Sequence, residues 1–309
     1  MQGSLLEQDR FRNWARRLHS RMLQNDAWRW LIELAASWML IMMMTGIYLW
    51  WPRGKATWRD ILQWKSGTGG RAAWRYLHSM TSVIMALMTT TILMTGLTWS
   101  KYAGSNFRAL QQATAQNTPA APRDLHSDIN GMATGSLSWQ AIYDKARQVA
   151  PDIEMQLTPP KSANGVWRIE NSDRSQPEKR FQLALDAYSG QVLYRSAWTD
   201  MPALSRATAI GIPFHRGEFG WWNQALLFLV GLSVIFSVIS GYVMWLQRRK
   251  AATLSAPKIT RAHATVIPWW IWACMVTLGV ALPVLGVSMC IVLLLESLNL
   301  LRNRHWTTA

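Results

Sequence analysis

Four long apolar segments constrain the fold of this chain more than any other feature of its 309 residues. They are Ala27–Trp51, His78–Trp99, Trp222–Leu246 and the stretch from Val266 to about Leu298. Each is long enough to cross a bilayer core, which takes about 20 apolar residues in one helix. The sequence therefore predicts an α-helical membrane bundle of four spans. We interpret the last segment as one helix kinked near Pro283 and Gly286, in preference to a re-entrant pair.

Basic residues indicate how these spans are oriented. The formal net charge is +15, but the arginines and lysines cluster beside the apolar segments, which favours membrane contact over nucleic-acid binding. Loops 52–77 and 247–265 are rich in basic residues and contain a single acid, Asp60. The positive-inside rule places both loops in the cytoplasm, with residues 100–221 and both termini on the outer side.

The N-terminal stretch conflicts with this orientation, because it carries five arginines between Arg10 and Arg21. A charged segment without a preceding span is difficult to translocate. Either the chain has lost an upstream helix or the topology is reversed, and we favour the first explanation.

The polar segment between the second and third spans has the pattern of a small α+β domain. Residues 113–122 have the composition of a linker. Ser138 is placed to cap a helix over about Trp139–Val149, and short strands follow near 153–157, 166–170, 181–186 and 191–195. The turn Tyr188-Ser189-Gly190 joins the last two as a hairpin. Because no catalytic constellation is recognisable, we interpret the module as one for packing or recognition.

These patterns divide the chain into five parts. They are an external segment 1–26, transmembrane helices 27–99, a periplasmic linker and domain 100–221, transmembrane helices 222–298 and a tail 299–309.

Three spans share a short sequence motif near one end. A small hydroxyl residue, a glycine and an interfacial tryptophan recur as Thr45-Gly46…Trp50, Thr95-Gly96…Trp99 and Ser240-Gly241…Trp245. Small residues let membrane helices approach closely, and they also make room for a flat cofactor. The motif alone leaves both interpretations open, close helix packing and room for a cofactor.

Histidines at matched spacing favour the cofactor. His19 lies 27 residues before Gly46, and His215 lies 26 before Gly241, each near the predicted outer end of its span. His78 precedes Gly96 by 18 residues on a span of opposite direction. Two histidines at similar depth on parallel helices could ligate one iron porphyrin from opposite faces.

Other candidates are weaker. His263 lies at the cytoplasmic edge of the last segment at a depth similar to that of His78, whereas His126 and His305 lie in polar stretches. Glu33 lies inside the first span, where an ionisable group is costly and therefore a functional hypothesis. It could take up a proton, act on a quinol, pair with an arginine or reach back to the interface. The many methionines are interpreted as packing residues.

Several motifs resemble those of a known family. The stretches RRLHSRML…WMLIMMMTGIYLWWPR, WRYLHSMTSVIMALMTTTILMTGLTWS and FHRGEFGWWNQALLFLVGLSVIFSVISGYVMWLQRR resemble the PepSY-associated transmembrane family, and ALDAYSGQVLYR resembles the end of a PepSY domain. Family members include iron-regulated inner-membrane proteins and FoxB-type ferric-siderophore reductases. The resemblance covers about residues 10–298.

The resemblance implies a di-haem reductase of the bacterial inner membrane, with the inserted domain in the periplasm. Haem b would pass electrons from a quinol or a cytosolic reductase to a ferric siderophore or another ferric chelate. By motif, His19 and His215 would ligate an outer haem and His78 an inner one. Lys101 and Arg216 are placed to neutralise haem propionates.

The chain departs from the family pattern at its start. Members usually begin with another helix that carries a Leu-His motif, followed by a first PepSY module, and this chain shows neither. The usual partner of His78 is therefore absent, and His263 is the candidate substitute. Two other functions stay open: a non-enzymatic membrane anchor whose PepSY-like module binds or regulates a periplasmic partner, and a truncated, inactive relic.

Overall fold

The computed structural model describes residues 11–305 except 53, 55–56, 64–68, 129–134, 151 and 249–267. The chain divides into two compact units. One consists of Met1–Phe107 and Phe228–Ala309 and is called the membrane unit here; the other, Arg108–Leu227, is called the sheet unit.

Helices dominate the described residues, and a single small sheet accompanies them. The helices are α1 (Phe11–Arg21), α2 (Arg29–Trp50), α3 (Trp58–Leu62), α4 (Gly70–Leu97), α5 (Ala103–Ala113), α6 (Trp139–Val149), α7 (Ala203–Arg216), α8 (Trp221–Arg248), α9 (Trp269–Ala281) and α10 (Pro283–His305). The strands are β1 (Met155–Thr158), β2 (Trp167–Asn171), β3 (Phe181–Leu185) and β4 (Val192–Ala197).

Three helices of the described residues are long and apolar enough to cross a membrane. They are Asp26–Trp50, Gly70–Leu97 and Trp221–Arg248, of 25, 28 and 28 residues. At a rise of 1.5 Å per residue, each helix is longer than the bilayer core, which is about 30 Å thick. They correspond to the first three predicted spans, and the chain is a multi-pass membrane protein.

The fourth segment differs from the predicted single kinked helix. It forms two helices, α9 and α10, that are separated at Leu282, whose φ of −117° and ψ of 82° leave the helical region. A Cβ placed on Gly279 would lie 3.3 Å from the Cα of Gly286, whereas residues seven apart in one helix are about 10 Å apart. The chain therefore reverses direction, and α9 and α10 form a helical hairpin in which the two glycines let the backbones approach.

This reversal also changes the expectation for the C-terminal tail. The predicted outer position of the tail assumed one crossing by the fourth segment. A hairpin returns the chain toward the side from which α9 begins, so the basis for an outer tail is removed.

A compact apolar core holds the hairpin against α2 and α4. Its buried leucines are Leu40, Leu93, Leu97, Leu282 and Leu285. Two polar contacts fix the same place: the Nε1 of Trp38 donates to the Oγ of Ser288 at 3.0 Å, and the Nδ2 of Asn106 donates to the carbonyl of Val280 at 2.8 Å. These contacts join segments about 170 to 250 residues apart in sequence.

The sheet unit confirms the predicted α+β module. Its four strands pair antiparallel in sequence order, and α6 begins at Ser138, whose Oγ accepts a hydrogen bond from the backbone N–H of Ala141 at 3.2 Å. Ile142 and Ala146 on α6 are fully buried in a core shared with apolar side chains of β2 and β3. The ends of the predicted strands are shifted by at most two residues.

The hairpin between β3 and β4 is built around the carboxylate of Asp186. Its Oδ1 accepts hydrogen bonds from the backbone N–H groups of Tyr188 and Ser189 at 2.9 and 2.8 Å. Its Oδ2 accepts one from the N–H of Asp128 at 2.6 Å. Burial raises the pKa of Asp186, but the hydrogen bonds from Ser189, Asp128 and Tyr188 outweigh that effect and hold the pKa below its ordinary value.

We expect this carboxylate to make the sheet unit acid-sensitive. Because the folded pKa of Asp186 is depressed, its stabilisation is present above the unfolded value of about 3.9 and is lost as the pH falls through the folded pKa. Hydrogen exchange of the β3 and β4 amides between neutral and acidic pH measures this loss. An Asp186→Asn protein should be less stable at neutral pH and show a weaker pH dependence; an unchanged profile would contradict this assignment.

Candidate cofactor site

The membrane unit contains a cavity of about 850 Å³ between α2, α4 and α8. Small-molecule and cofactor sites in proteins commonly measure about 300–1,000 Å³, so the cavity has the size of a cofactor pocket. Its walls are mainly apolar, with methionines from α2 and α4 and a row of serines. The polar side chains that line it are His78, Ser79, Ser82, Thr89, Ser233, Ser237, Tyr242, Trp50 and Trp245.

Two copies of the repeated Thr/Ser-Gly…Trp motif meet at this cavity. Gly46 and Trp50 of α2, together with Gly241 and Trp245 of α8, line its wall. A Cβ on either glycine would have no described heavy atom within 4 Å. The absent side chains thus leave open space, which agrees with the prediction that the glycines make room. The third copy, on α4, lies near the opposite end, where Leu97 is buried in the leucine core.

His78 is the histidine that lines the cavity wall, and its ring is held in place by Ser240. The Nδ1 of His78 lies 2.8 Å from the Oγ of Ser240. That hydroxyl also lies 2.7 Å from the carbonyl of Phe236, one turn back along α8. A hydroxyl has one proton and the carbonyl can only accept, so the proton goes to Phe236 and Ser240 accepts from the Nδ1–H. The Nε2 of His78 then carries the lone pair, which is the form that ligates a metal.

The other serine hydroxyls of the cavity are already engaged. Ser79 donates to the carbonyl of Arg75 at 2.8 Å, and Ser233 donates to that of Val230 at 2.8 Å. Ser82 and Ser237 share a hydrogen bond of 3.1 Å. These groups satisfy their own helices or bridge α4 to α8, so they hold the cavity wall together.

Trp50 provides an unused donor at the same wall. Its ring packs against Trp58 with centroids 5.2 Å apart. Its Nε1–H is buried and donates no hydrogen bond to any described residue. A buried N–H without a partner costs about 1–3 kcal/mol, and because the atom has almost no accessible surface, a bound group could reach it only after the Trp50 ring moves.

The donor set fits a haem iron better than a bare metal ion. Within the described ranges there is no group of three or more His, Cys, Asp or Glu residues that could hold a metal. A porphyrin supplies four nitrogen ligands itself and requires one or two axial ligands from the protein. One imidazole in a cavity walled by apolar side chains and thioethers meets that requirement.

The other predicted ligands lie elsewhere. His19 lies in the last turn of α1, in the membrane unit, and His215 lies in the last turn of α7, in the sheet unit. Their joint ligation of an outer haem stays a prediction. His263 lies outside the described residues, so its proposed pairing with His78 stays a prediction as well.

The local structure around His19 and His215 nevertheless repeats. In both places a short helix carries the histidine in its last turn, a left-handed turn follows, and a membrane span begins within seven residues. The left-handed residues are Met22 and Leu23, with φ of 54° and 62°, in the first case and Gly217 and Gly220, with φ of 73° and 92°, in the second. The matched spacing seen in the sequence thus reflects a repeated helix–turn–span unit.

The turn after His215 is held by a buried asparagine. Asn223 is fully buried; its Nδ2 donates to the carbonyl of Phe214 at 3.0 Å, and its Oδ1 accepts from the N–H of Phe219 at 3.3 Å. Arg216 forms an ion pair of 2.8 Å with Glu218. The predicted contact of Arg216 with a propionate would therefore compete with an existing partner.

Glu33 has a partner that its sequence position did not reveal. Its carboxylate is almost completely buried and accepts hydrogen bonds from the backbone N–H groups of Tyr102 and Ala103 at 3.0 and 2.8 Å. These amides open α5, so Glu33 caps the N-terminus of that helix and complements its dipole. Of the interpretations left open by the sequence, this geometry favours a structural one, although the partner is backbone and not arginine.

Replacing Glu33 should therefore destabilise the membrane unit. A Glu33→Ala protein leaves the buried N–H of Ala103 and the partly buried N–H of Tyr102 without their acceptor and is expected to lose about 3 kcal/mol of unfolding free energy. Glu33→Gln keeps an acceptor oxygen and should lose less. Unfolding of the full chain in detergent measures both effects. A Glu33→Gln protein with unchanged stability but abolished electron transfer would instead support a proton-transfer function.

The comparison with protein families identifies a relationship over most of the chain. Residues 1–248 match the family model described as the PepSY-associated TM region. This match confirms the family that the stretches around the first three spans and ALDAYSGQVLYR resemble. A comparison with curated proteins gives no significant match.

Proposed function

We propose a haem-dependent redox function for this chain, which belongs to the PepSY-associated transmembrane family. In this proposal the cavity between α2, α4 and α8 holds a haem b whose iron is ligated by the Nε2 of His78. The observation that carries the proposal is the hydrogen bond from His78 to Ser240, because it leaves a ligating lone pair at the wall of a cofactor-sized cavity.

When bound, haem supplies one-electron chemistry at its iron. The residues of the chain bind and orient it. His78 would provide a ligating nitrogen, and its hydrogen bond to Ser240 would hold the ring in one tautomer. Gly46 and Gly241 leave space for a flat ring, while the apolar side chains exclude water and so influence the reduction potential.

We further propose that the electrons move outward across the inner membrane to a ferric siderophore or another ferric chelate in the periplasm. Basic loops at 52–77 and 247–265 support a cytoplasmic position for those loops, and hence a periplasmic position for the sheet unit. The repeated helix–turn–span units support His19 and His215 as ligands of a second, outer haem. A quinol or a cytosolic reductase is the proposed donor; one quinol would reduce two ferric ions and release two protons.

Electron transfer in liposomes tests this function. The full chain is reconstituted with a reduced quinol in the bilayer and a ferric trihydroxamate outside, and Fe(II) is trapped as a coloured chelate. We expect Fe(II) formation that requires both quinol and protein and that falls to background in a His78→Ala protein. Equal rates for the wild-type and His78→Ala proteins would contradict the proposed function.

Loss of the Ser240 hydroxyl should weaken haem binding without removing the ligand. A Ser240→Ala protein no longer orients the Nδ1–H of His78, and loss of such an outer hydrogen bond typically reduces metal affinity about 10–100-fold. Titration of haem into the apoprotein measures the change. Ser233→Ala is the matched control, since Ser233 also lines the cavity but bonds to its own helix. Equal losses in both variants would contradict the orienting function of Ser240.

A further inference from the structure

Helix α1 carries an apolar face that is exposed to its surroundings. Phe11, Trp14, Leu18 and the following Met22 recur at intervals of three and four residues and are 79%, 45%, 37% and 46% exposed. This spacing places them on one side of a helix. The rings of Phe11 and Trp14 stack with centroids 5.9 Å apart. Asn13, on the opposite side, is only 8% exposed. The helix thus buries Asn13 against the rest of the protein and leaves this apolar face exposed.

The remaining surface of α1 is strongly basic. The helix contains four arginines and a histidine and no acid. Its eleven residues span about 16 Å, too short to cross a bilayer core of about 30 Å. An exposed apolar face flanked by arginines and tryptophan is typical of helices that lie in the headgroup layer.

The connection to α2 ties α1 to the start of a candidate span. The chain reverses at Met22 and Leu23, the N–H of Leu23 donates to the carbonyl of Arg17 at 3.2 Å, and Arg21 forms an ion pair of 2.8 Å with Asp26. Asp26 is also the first residue of the candidate span. The end of α1 is therefore tied to the end of a span, where the interface begins.

We propose that α1 lies in the headgroup layer of the leaflet in which the span Asp26–Trp50 begins, and that it binds anionic phospholipid. In this arrangement the face formed by Phe11, Trp14, Leu18 and Met22 enters the acyl-chain boundary. The arginines of the flanks contact lipid phosphates, which accept hydrogen bonds from guanidinium groups. The proposal does not depend on haem.

Spin labels on the full chain test the depth of this helix. The background carries Cys274→Ser and Cys290→Ser, and single labels are placed by Leu18→Cys and Arg16→Cys. In nanodiscs of phosphatidylcholine with phosphatidylglycerol, collisions with oxygen and with a water-soluble nickel chelate are compared. The label at 18 is expected to show a severalfold higher oxygen-to-nickel ratio than the label at 16. Equal ratios in a protein that elutes and unfolds like the wild type would overturn the proposal.

Two further measurements separate the lipid from other occupants and test the lipid charge. Short distances between labels at position 18 of two copies, measured by double electron–electron resonance, would assign the face to a second chain and overturn the proposal. The difference in oxygen-to-nickel ratio between positions 18 and 16 should shrink in nanodiscs of phosphatidylcholine alone. It should also shrink in an Arg12→Gln/Arg17→Gln protein. An unchanged difference in both would overturn the preference for anionic lipid.

Discussion

Replacement of His78 by alanine is expected to remove the haem of the cavity and to lower the haem content by one per chain. His78 is the histidine that the described structure places at this wall, and its imidazole is positioned by Ser240 at 2.8 Å. Loss of a hydrogen bond to a metal ligand typically reduces metal affinity about 10–100-fold. Loss of the ligand itself should reduce haem affinity by more than that. The pyridine haemochrome of purified protein, divided by chain concentration, measures this difference.

Two control variants make the His78 result specific. His126 is an exposed histidine of the sheet unit, so His126→Ala should keep the full haem content. His215→Ala should lose only the proposed outer haem and keep that of the cavity. Full haem retention by a folded His78→Ala protein would contradict the assignment of His78 as a ligand.

A Gly241→Phe substitution is expected to exclude the cofactor while leaving the protein folded. A Cβ at Gly241 would have no described heavy atom within 4 Å, and the glycine lines the cavity. The added ring should therefore project into open space, without the strain that overpacking a filled core causes. We expect haem content to fall to the level of His78→Ala, with an unchanged unfolding temperature of the apoprotein in detergent.

Gly231 offers a matched control on the same helix. It also has no described heavy atom within 4 Å of an added Cβ, but it does not line the cavity. Gly231→Phe should thus retain haem. Equal haem loss in both variants would show that the effect comes from altered helix packing or membrane insertion and would contradict the cavity as the binding site.

Local sequence patterns predicted the elements that depend on neighbouring residues. Three spans followed from apolar length, and α6 with its four strands followed from a Ser138 cap and alternating side chains. The repeated motif at Gly46 and Gly241 left close helix packing and room for a cofactor both open, and the structure shows open space at both glycines.

Features that depend on distant residues could not be predicted in this way. The single fourth helix was a wrong prediction, because Pro283 and Gly286 suit a kink as well as a reversal, and the close approach to Gly279 is a tertiary contact. The cap formed by Glu33 joins groups about 70 residues apart. The apolar residues around Glu33 indicated only that a carboxylate at this position needs a partner.

The orientation of His78 illustrates the same limit at the candidate site. Its motif predicted that it is a ligand, but the serine that contacts its Nδ1 lies 162 residues away on another helix. Ser240 was recognised in the sequence as the small residue before Gly241. Its dual contacts, to His78 and to the carbonyl of Phe236, emerge only when α4 and α8 are packed together.

The central claim is that the cavity holds haem through His78, and one measurement tests it most directly. The full chain is purified from haem-replete cells, its dithionite-reduced minus oxidised spectrum is recorded, and haem is quantified per chain. The account predicts a sharp low-spin α-band with at least one haem per chain and the loss of one haem in the His78→Ala protein. A folded wild-type chain without haem would contradict the account and favour a non-enzymatic membrane anchor.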